Sequence, residues 1–387
     1  MKHVSKSWLR MIEDNETIGT NKNGKQYYFI NLILLLTSII FSLFGTEGIL
    51  RILRPSQLAI NHIPCIYIPD QQLGYRYKPN AIGWLRINSE IDNLIIINSM
   101  GFHDIEHNNN NHDKTLYILA VGDSFTATGE VGISEGWTQT LQRELQVMGH
   151  SSVEVMNLGI DGTGTHEQLT LLKEYLPVFR PDFVILAFYK NDIEDILKKR
   201  RFRECYKGHI LGFEDEEQRR KLKDFVDMST ERKYMSWLFN NVYLFRFISF
   251  SVNENSFWKS TYHTPIKIGI TVENELDPPN INDLLQEFVV LSRQNHFKLL
   301  VVPVPAKSGL TDSLDTLKNN VSKEILTQLD VVDLYPNIQD MLVRDNKVND
   351  NLFWKYDAHF NVYGNKIFGL AMAKAVNIYL EGNKLDE

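Results

Sequence analysis

The chain has 387 residues, of which 43% are hydrophobic and 23% are charged, and its formal net charge at pH 7 is -7. This is the composition of a globular protein with a sizeable core, which excludes global disorder. Lysine and arginine are not in clustered excess, so the charge pattern argues against a nucleic-acid partner. The richest basic run, residues 198–203, is interpreted as a solvated helix face.

The first segment with a clear pattern is an uncharged run over residues 27–44, YYFINLILLLTSIIFSLF. At 1.5 Å rise per residue, a run of this length is about the shortest helix that spans a bilayer. We therefore predict an N-terminal tail at 1–26 and a transmembrane helix at 27–46. A cleaved signal peptide is disfavoured because a tail precedes the run and no A-x-A-like site follows it.

Orientation in the membrane is less clearly encoded, because basic residues flank the apolar run on both sides. Lys22 and Lys25 precede it, and Arg51 and Arg54 follow it. We predict a single-pass protein with its N-terminus inside and its catalytic body outside, since a sole N-terminal anchor most often serves an exported domain. The membrane is thereby a predicted partner of this helix.

Residues 55–112 contain four prolines and the polar tract HNNNNH, which predicts a small irregular or β buttress ahead of the main domain. This region also holds a cluster of side chains of the kind that bind metals. They form no compact metal motif, and we predict no metal and no other cofactor. The cluster consists of His103, Asp104, Glu106, His107 and His112.

The two cysteines, Cys65 and Cys205, are far apart in sequence and form no CxxC motif. They indicate neither a zinc knuckle nor a disulfide framework, although one bridge between them stays open.

From residue 113 onward, apolar β-rich runs alternate with helical stretches. Near-continuous apolar strands are typical of a parallel sheet buried on both faces, so we predict an α/β/α sandwich with five parallel strands. The stretch at about 196–280 is too long for a βα connection and is interpreted as a helical insertion over the active face. The predicted strands are LYILAVG (116–122), VEVMNLG (153–159), DFVILAFY (182–189), KLLVVPVP (298–305) and VVDLY (331–335).

Chemistry-bearing residues follow the carboxyl ends of these strands, where ligands bind in doubly wound sheets. Ser124 follows the first strand in GDSFT, and His359 lies late in the chain in YDAHFN. A serine hydroxyl needs a base, and imidazole titrates near neutrality, so the pair predicts nucleophilic catalysis. The backbone N–H groups of Ser124 and Gly162 and the amide of Asn191 are candidate oxyanion donors.

These four segments resemble, in order, the four blocks of the SGNH/GDSL hydrolases. The resemblance implies a flavodoxin-like sandwich over residues 113–387 and assigns the four block residues to Ser124, Gly162, Asn191 and His359. The leader LGYRYKPN and the segment INSMGFHDIE also resemble membrane-anchored bacterial members. The family commonly places a carboxylate three residues before the histidine, where this chain has Tyr356.

Asp357 lies only two residues before His359. In an extended loop, positions two apart share a face, so Asp357 can orient the imidazole and complete a triad. In a helical loop the enzyme would work as a dyad.

The predicted function is a serine esterase that acts through an acyl-enzyme on acyl esters, O-acetyl esters of cell-envelope carbohydrates above all. The same residues could transfer the acyl group to a glycan hydroxyl instead of water. A third reading is a non-catalytic carbohydrate-binding or assembly protein that keeps the fold.

Overall fold

The computed structural model describes most of the chain. The described residues are 22–53, 62–87, 90–107, 115–197, 201–229, 237–238, 241–252 and 278–383. They fall into two compact units. One contains the N-terminal helix with the helix Tyr243–Val252, and the other contains everything else.

The N-terminal helix α1 runs from Lys22 to Leu53, and its segment Tyr27–Leu53 contains an 18-residue window that has a mean hydropathy of 2.1 and is unburied. By length and composition this helix could cross a membrane, and a signal sequence has the same properties. Beyond the apolar run, the Glu47 carboxylate accepts hydrogen bonds from the backbone N–H groups of Tyr243 and Leu244, at 3.1 and 2.7 Å. These two N–H groups belong to the first residues of the helix Tyr243–Val252, and N–H groups at a helix start have no partner within the helix. Glu47 therefore supplies the acceptors that they lack.

Over the described residues, the second unit contains eleven strands and ten α-helices. The strands are β1 (Tyr67–Asp70), β2 (Gly74–Tyr77), β3 (Ile82–Ile87), β4 (Ile91–Ile96), β5 (Leu116–Gly122), β6 (Val153–Asn157), β7 (Phe183–Phe188), β8 (Phe202–Tyr206), β9 (His209–Phe213), β10 (Lys298–Pro303) and β11 (Asp330–Val331). The helices are α2 (Ser124–Ala127), α3 (Trp137–Val147), α4 (Thr165–Phe179), α5 (Asp192–Leu197), α6 (Glu216–Ser229), α8 (Ile281–Asn295), α9 (Asp312–Asn320), α10 (Lys323–Leu326), α11 (Tyr335–Arg344) and α12 (Val362–Asn383), with α7 (Tyr243–Val252) in the first unit.

A five-stranded parallel sheet lies at the centre of this unit, in the order β11-β10-β7-β5-β6. Read from the other edge this is the 2-1-3-4-5 order of the flavodoxin-like sandwich, so the predicted fold is confirmed. Alternate residues of β5 belong to different cores: Leu119 and Val121 pack into one, and Ile118 and Ala120 into the other. Burial on both faces explains why these strands read as continuous apolar runs.

The fifth strand is shorter and earlier than predicted. It covers only Asp330–Val331, and Tyr335, predicted as its last residue, begins helix α11 instead. The Asp333 carboxylate accepts a hydrogen bond from the Tyr335 N–H at 2.9 Å, and Pro336 occupies the first turn, where its missing N–H costs nothing.

Three antiparallel hairpins accompany the sheet: β1–β2, β3–β4 and β8–β9. The first two lie in the predicted 55–112 buttress, and the third lies in the predicted 196–280 insertion, so that segment contains strands as well as helices. The limits of both regions stay predictions, because 54–61, 108–114 and 253–277 lie outside the described residues. A disulfide joins Cys65, just before β1, to Cys205 in β8.

Candidate active site

Ser124 begins the one-turn helix α2 directly after strand β5. The Asp123 side chain caps that helix by accepting a hydrogen bond from the Phe125 N–H at 2.9 Å. The strand must turn sharply here: a Cβ on Gly122 would lie 2.2 Å from Thr126 Oγ1. The glycine therefore permits the turn that presents Ser124 at the carboxyl edge of the sheet.

His359 reaches Ser124 from the loop that precedes helix α12. Its Nε2 lies 2.8 Å from Ser124 Oγ, and its Nδ1 lies 2.5 Å from Asp357 Oδ1. Asp357 Oδ1 also accepts a hydrogen bond from the His359 backbone N–H at 2.9 Å. The loop is thus extended enough for positions two apart to face each other, and the geometry is that of a triad rather than a dyad.

Two further carboxylates surround the imidazole. Glu130 Oε1 lies 3.4 Å from His359 Nδ1, and Asp123, the residue before Ser124, is buried. Burial would lower the pKa of His359, but the charges of Glu130, Asp357 and Asp123 outweigh it and raise that pKa to about 10. Burial likewise raises the pKa of Glu130, and it raises the pKa of Asp123 to about 7, whereas the bond to His359 keeps the pKa of Asp357 low despite its burial.

The three glycines of the loop after β6 have different surroundings in the structure. A Cβ on Gly159 would lie 2.2 Å from the Ala127 backbone nitrogen, and one on Gly164 would crowd Asp195 at 3.2 Å, so both serve close packing. Gly162 has a positive φ of +67° and lines the same cavity as Ser124 and His359. Of the three, Gly162 is the one that lines this cavity.

Asn191 follows strand β7, but its side chain is engaged elsewhere. Its Nδ2 donates to Asp195 Oδ2 at 2.8 Å, which uses one of the two N–H bonds of the amide. Its Oδ1 is buried without a hydrogen-bond partner. One N–H of the carboxamide is thus committed to Asp195, and Asn191 does not line the cavity beside Ser124 and His359.

The family comparison bears on this serine, glycine and asparagine. Residues 118–235 match the family model described as GDSL-like Lipase/Acylhydrolase. The chain contains a GDSL-like lipase/acylhydrolase domain. This domain match supports an ester hydrolase. The matched range includes Ser124, Gly162 and Asn191, and it ends well before Asp357 and His359.

Solved structures similar to the GDSL protein share little sequence with it. A lipolytic protein of the G-D-S-L family from Desulfitobacterium hafniense is 14% identical, covering 67% of this chain and 99% of its own, with a TM-score of 0.35. A lipase/acylhydrolase from Enterococcus faecalis is 15% identical over 68% and 95%, with a TM-score of 0.36. The acetyl xylan esterase AlAXEase is 13% identical over 67% and 100%, with a TM-score of 0.35. No curated protein matches the sequence.

The loop that carries Asp357 and His359 in the GDSL protein is held from two sides. The Lys307 ammonium donates to the carbonyl oxygens of Trp354, Lys355 and Asp357, at 2.6, 2.7 and 3.1 Å. On the other side, the Glu90 carboxylate, from the β3–β4 turn, accepts hydrogen bonds from the backbone N–H groups of Lys355 and Tyr356 at 2.9 and 2.7 Å. A short loop with both its carbonyls and its N–H groups bound has little freedom to move the imidazole.

The loop that carries Gly162 is held through Asp161. Tyr77 donates its hydroxyl to Asp161 Oδ1 at 2.8 Å, Tyr75 donates to the Asp161 carbonyl at 2.6 Å, and Arg203 donates to Asp161 Oδ2 at 2.7 Å. The Arg203 guanidinium also lies over the Tyr75 ring at 4.1 Å. We call these side chains, with Tyr67, the Asp161 clamp. The solvated helix face predicted for the basic run is therefore wrong at Arg203, which lies in strand β8.

The described histidines and carboxylates of the cluster that was considered for metal binding form contacts with other protein groups. His107 pairs with Asp104 at 2.9 Å and with Glu154 at 3.1 Å, and His103 lies within 3.1 Å of two backbone carbonyl oxygens. The Ser99 hydroxyl donates to Glu106. His112 lies outside the described residues. Within the part of the chain that is described, no group of three such side chains could hold a metal ion.

Sequence reasoning missed Glu130, Lys307, Glu90 and most of the Asp161 clamp. Glu130 comes six residues after Ser124 in an ordinary GEVG stretch, and nothing in the local pattern points to an imidazole more than two hundred positions away. In the sequence, the two tyrosines of LGYRYKPN are recognisable only as part of the leader segment. No short motif could have supplied these contacts, because each joins elements distant in sequence.

Proposed function

We propose that this GDSL protein hydrolyses its ester through an acyl-enzyme, with Ser124 as nucleophile, His359 as base and Asp357 as the group that orients His359. The observation that supports this most is the continuous hydrogen-bonded chain from Asp357 to His359 to Ser124, with separations of 2.5 and 2.8 Å. Asp357 bound at Nδ1 fixes the tautomer in which Nε2 carries the lone pair and accepts the serine proton.

The proposed steps follow from that arrangement. Ser124 Oγ attacks the ester carbonyl carbon as its proton passes to His359 Nε2, and the tetrahedral oxyanion is stabilised by the N–H groups of Ser124 and Gly162 and by the free N–H of the Asn191 amide. The imidazolium returns the proton to the leaving alcohol. Water then attacks the acyl-enzyme, His359 takes its proton, and Ser124 leaves with a proton from His359 while the carboxylic acid departs.

For the substrate we propose acyl esters on cell-envelope carbohydrates, the class predicted from the sequence. The cellular location of the protein is proposed on two grounds. Helix α1 is apolar enough to anchor the chain in a membrane, and the Cys65–Cys205 disulfide is of the kind that persists in oxidising compartments. Both fit a single-pass protein whose catalytic body lies outside the cytoplasm.

The proposal is tested with the full chain purified in lipid nanodiscs. We expect p-nitrophenyl ester hydrolysis and fluorophosphonate labelling, both lost in Ser124→Ala and in His359→Ala. Ser134→Ala, which removes an exposed serine hydroxyl nearby in sequence, is the matched control and should keep both. A wild type that neither hydrolyses an ester nor takes the label would exclude the acyl-enzyme and favour the non-catalytic carbohydrate-binding reading.

A further inference from the structure

A cavity of about 230 Å³ opens beside Ser124 and His359. Besides Glu130 and Asp161, the cavity is lined by the hydrocarbon side chains of Ile63, Leu85, Ile87 and Ile95. All four belong to the segment of the β1–β4 hairpins, and this segment precedes the range that matches the GDSL family model. Much of the apolar lining is thus supplied by a part of the chain outside the recognised family range.

Tyr67 and Tyr77 also line this cavity, yet they offer a ligand little polarity. Both hydroxyl groups donate to the Asp161 carboxylate, Tyr67 at 3.2 Å and Tyr77 at 2.8 Å. A phenol whose hydroxyl is already bonded presents chiefly its ring to a neighbour. Asp161 is itself paired with Arg203, so its charge is also satisfied.

The size of the cavity favours a longer acyl chain over an acetyl group. At about 30 Å³ for each water-sized group, 230 Å³ accommodates about eight such groups. An acetyl ester carries a single methyl beyond its carbonyl carbon and would leave most of this apolar space unfilled. Each methylene that moves from water into this cavity makes the free energy of binding more favourable.

We propose that this cavity binds the acyl chain of the ester, and that residues 63–95 select a medium-length chain of about six to eight carbons over acetyl. This inference rests on the proposed function and replaces the acetyl group expected from the sequence with a longer one. The carbonyl carbon lies at Ser124, and the chain extends along Leu85 and Ile95.

Gly129 offers a way to fill the cavity without touching the catalytic residues. It lines the cavity, and a Cβ there would lie 3.3 Å from Ile95 Cδ1 and 3.9 Å from Leu85 Cδ2. Its φ is not in the left-handed region, so a side chain is tolerated by the backbone. Gly129→Val therefore places its methyl groups where the acyl chain would extend.

The experiment measures kcat/KM of the full chain in nanodiscs for p-nitrophenyl acetate, butyrate, hexanoate, octanoate and decanoate. Each buried methylene should raise kcat/KM roughly fourfold, so hexanoate should exceed acetate by on the order of a hundredfold and octanoate by on the order of a thousandfold. Gly129→Val should lose that advantage, so that its ratio of octanoate to acetate kcat/KM falls towards one. Leu85→Ala should move the optimum to a longer chain.

Leu310→Ala is the matched control for Leu85→Ala, because Leu310 is similarly buried, at 8% against 6% exposed, in the other core. It should leave the ratio of octanoate to acetate unchanged. Acetate as the best donor, or a Gly129→Val variant that keeps the wild-type ratio, would overturn the acyl-chain assignment while leaving the esterase proposal standing. Failure of every ester to react, with no fluorophosphonate label on Ser124, would instead overturn the esterase proposal itself.

Discussion

At the scale of single residues, the feature that sets this site apart is the number of carboxylates around one imidazole. Asp357 and Glu130 both face His359 Nδ1, and Asp123, next to Ser124 in the chain, is buried. Burial of the imidazole opposes protonation, but the three negative charges prevail and raise the pKa of His359 to about 10. A histidine with a raised pKa holds its proton at neutral pH, and a protonated imidazole cannot accept the serine proton.

Activity should therefore increase with pH. We expect kcat/KM for p-nitrophenyl acetate to rise from neutral pH towards about 10, as His359 loses its proton. Glu130→Gln removes one of the charges that hold the proton, so the rise should move about one to three pH units lower and activity at neutral pH should increase. Glu194→Gln, at an exposed position, is the control, and Ser124→Ala corrects for alkaline hydrolysis. A Glu130→Gln profile that coincides with wild type would contradict this electrostatic account.

Asp357 and Glu130 can also be distinguished by their distances to the same nitrogen, 2.5 and 3.4 Å. Asp357→Asn should lower kcat by about a hundredfold to ten-thousandfold with little change in KM, because the amide no longer fixes the tautomer that accepts the serine proton. The double variant with Glu130→Gln should fall further, since Glu130 is the remaining carboxylate within reach. Steady-state kinetics of the two single variants and the double variant measure this. Equal effects of Asp357→Asn and Glu130→Gln would show that the two carboxylates do not have separate roles.

At the scale of elements, the catalytic loop is held in place by groups that never approach the substrate. Lys307→Met keeps the length of the side chain and removes the ammonium that donates to three carbonyl oxygens of residues 354–357. We expect kcat to fall by roughly tenfold while KM stays near wild type, and the free energy of unfolding to fall by about 1–3 kcal/mol. Lys318→Met, on an exposed face of α9, is the control. Urea denaturation and kinetics would count against this positioning role if both variants behaved alike.

The same elements show what the sequence encodes locally. Strands β5, β6, β7 and β10 could be predicted because burial on both faces forces continuous apolar runs, and the order of Ser124, Gly162, Asn191 and His359 follows from their places after strands and before α12. The end of the fifth strand differs from the prediction because the chain enters helix α11 at Tyr335, whose N–H is bound by the Asp333 carboxylate. Lys307, Glu90 and Glu130 could not be predicted, since each acts across a contact that only the folded chain creates.

At the scale of the whole second unit, the β1–β2 hairpin and the β8–β9 hairpin are joined to each other and to the loop that carries Gly162. The Cys65–Cys205 disulfide connects the start of β1 to β8, and the side chains next to it, Tyr67 and Arg203, both bind Asp161. Asp161 directly precedes Gly162. The buttress hairpin, the β8–β9 hairpin and the predicted oxyanion loop thus form one connected assembly, and the disulfide is its covalent link.

Breaking that link should loosen the Asp161 clamp. The bridged cysteines are 140 residues apart, and closing so long a loop stabilises the folded state by about 2–5 kcal/mol. Reduction of the wild type, or the double variant Cys65→Ser with Cys205→Ser, should lower the melting temperature by several degrees and lower kcat, because Gly162 is then less firmly held. The double variant should no longer respond to dithiothreitol. If thiol titration finds two free thiols after reduction while melting temperature and kcat stay unchanged, the non-covalent contacts of Asp161 alone hold the loop.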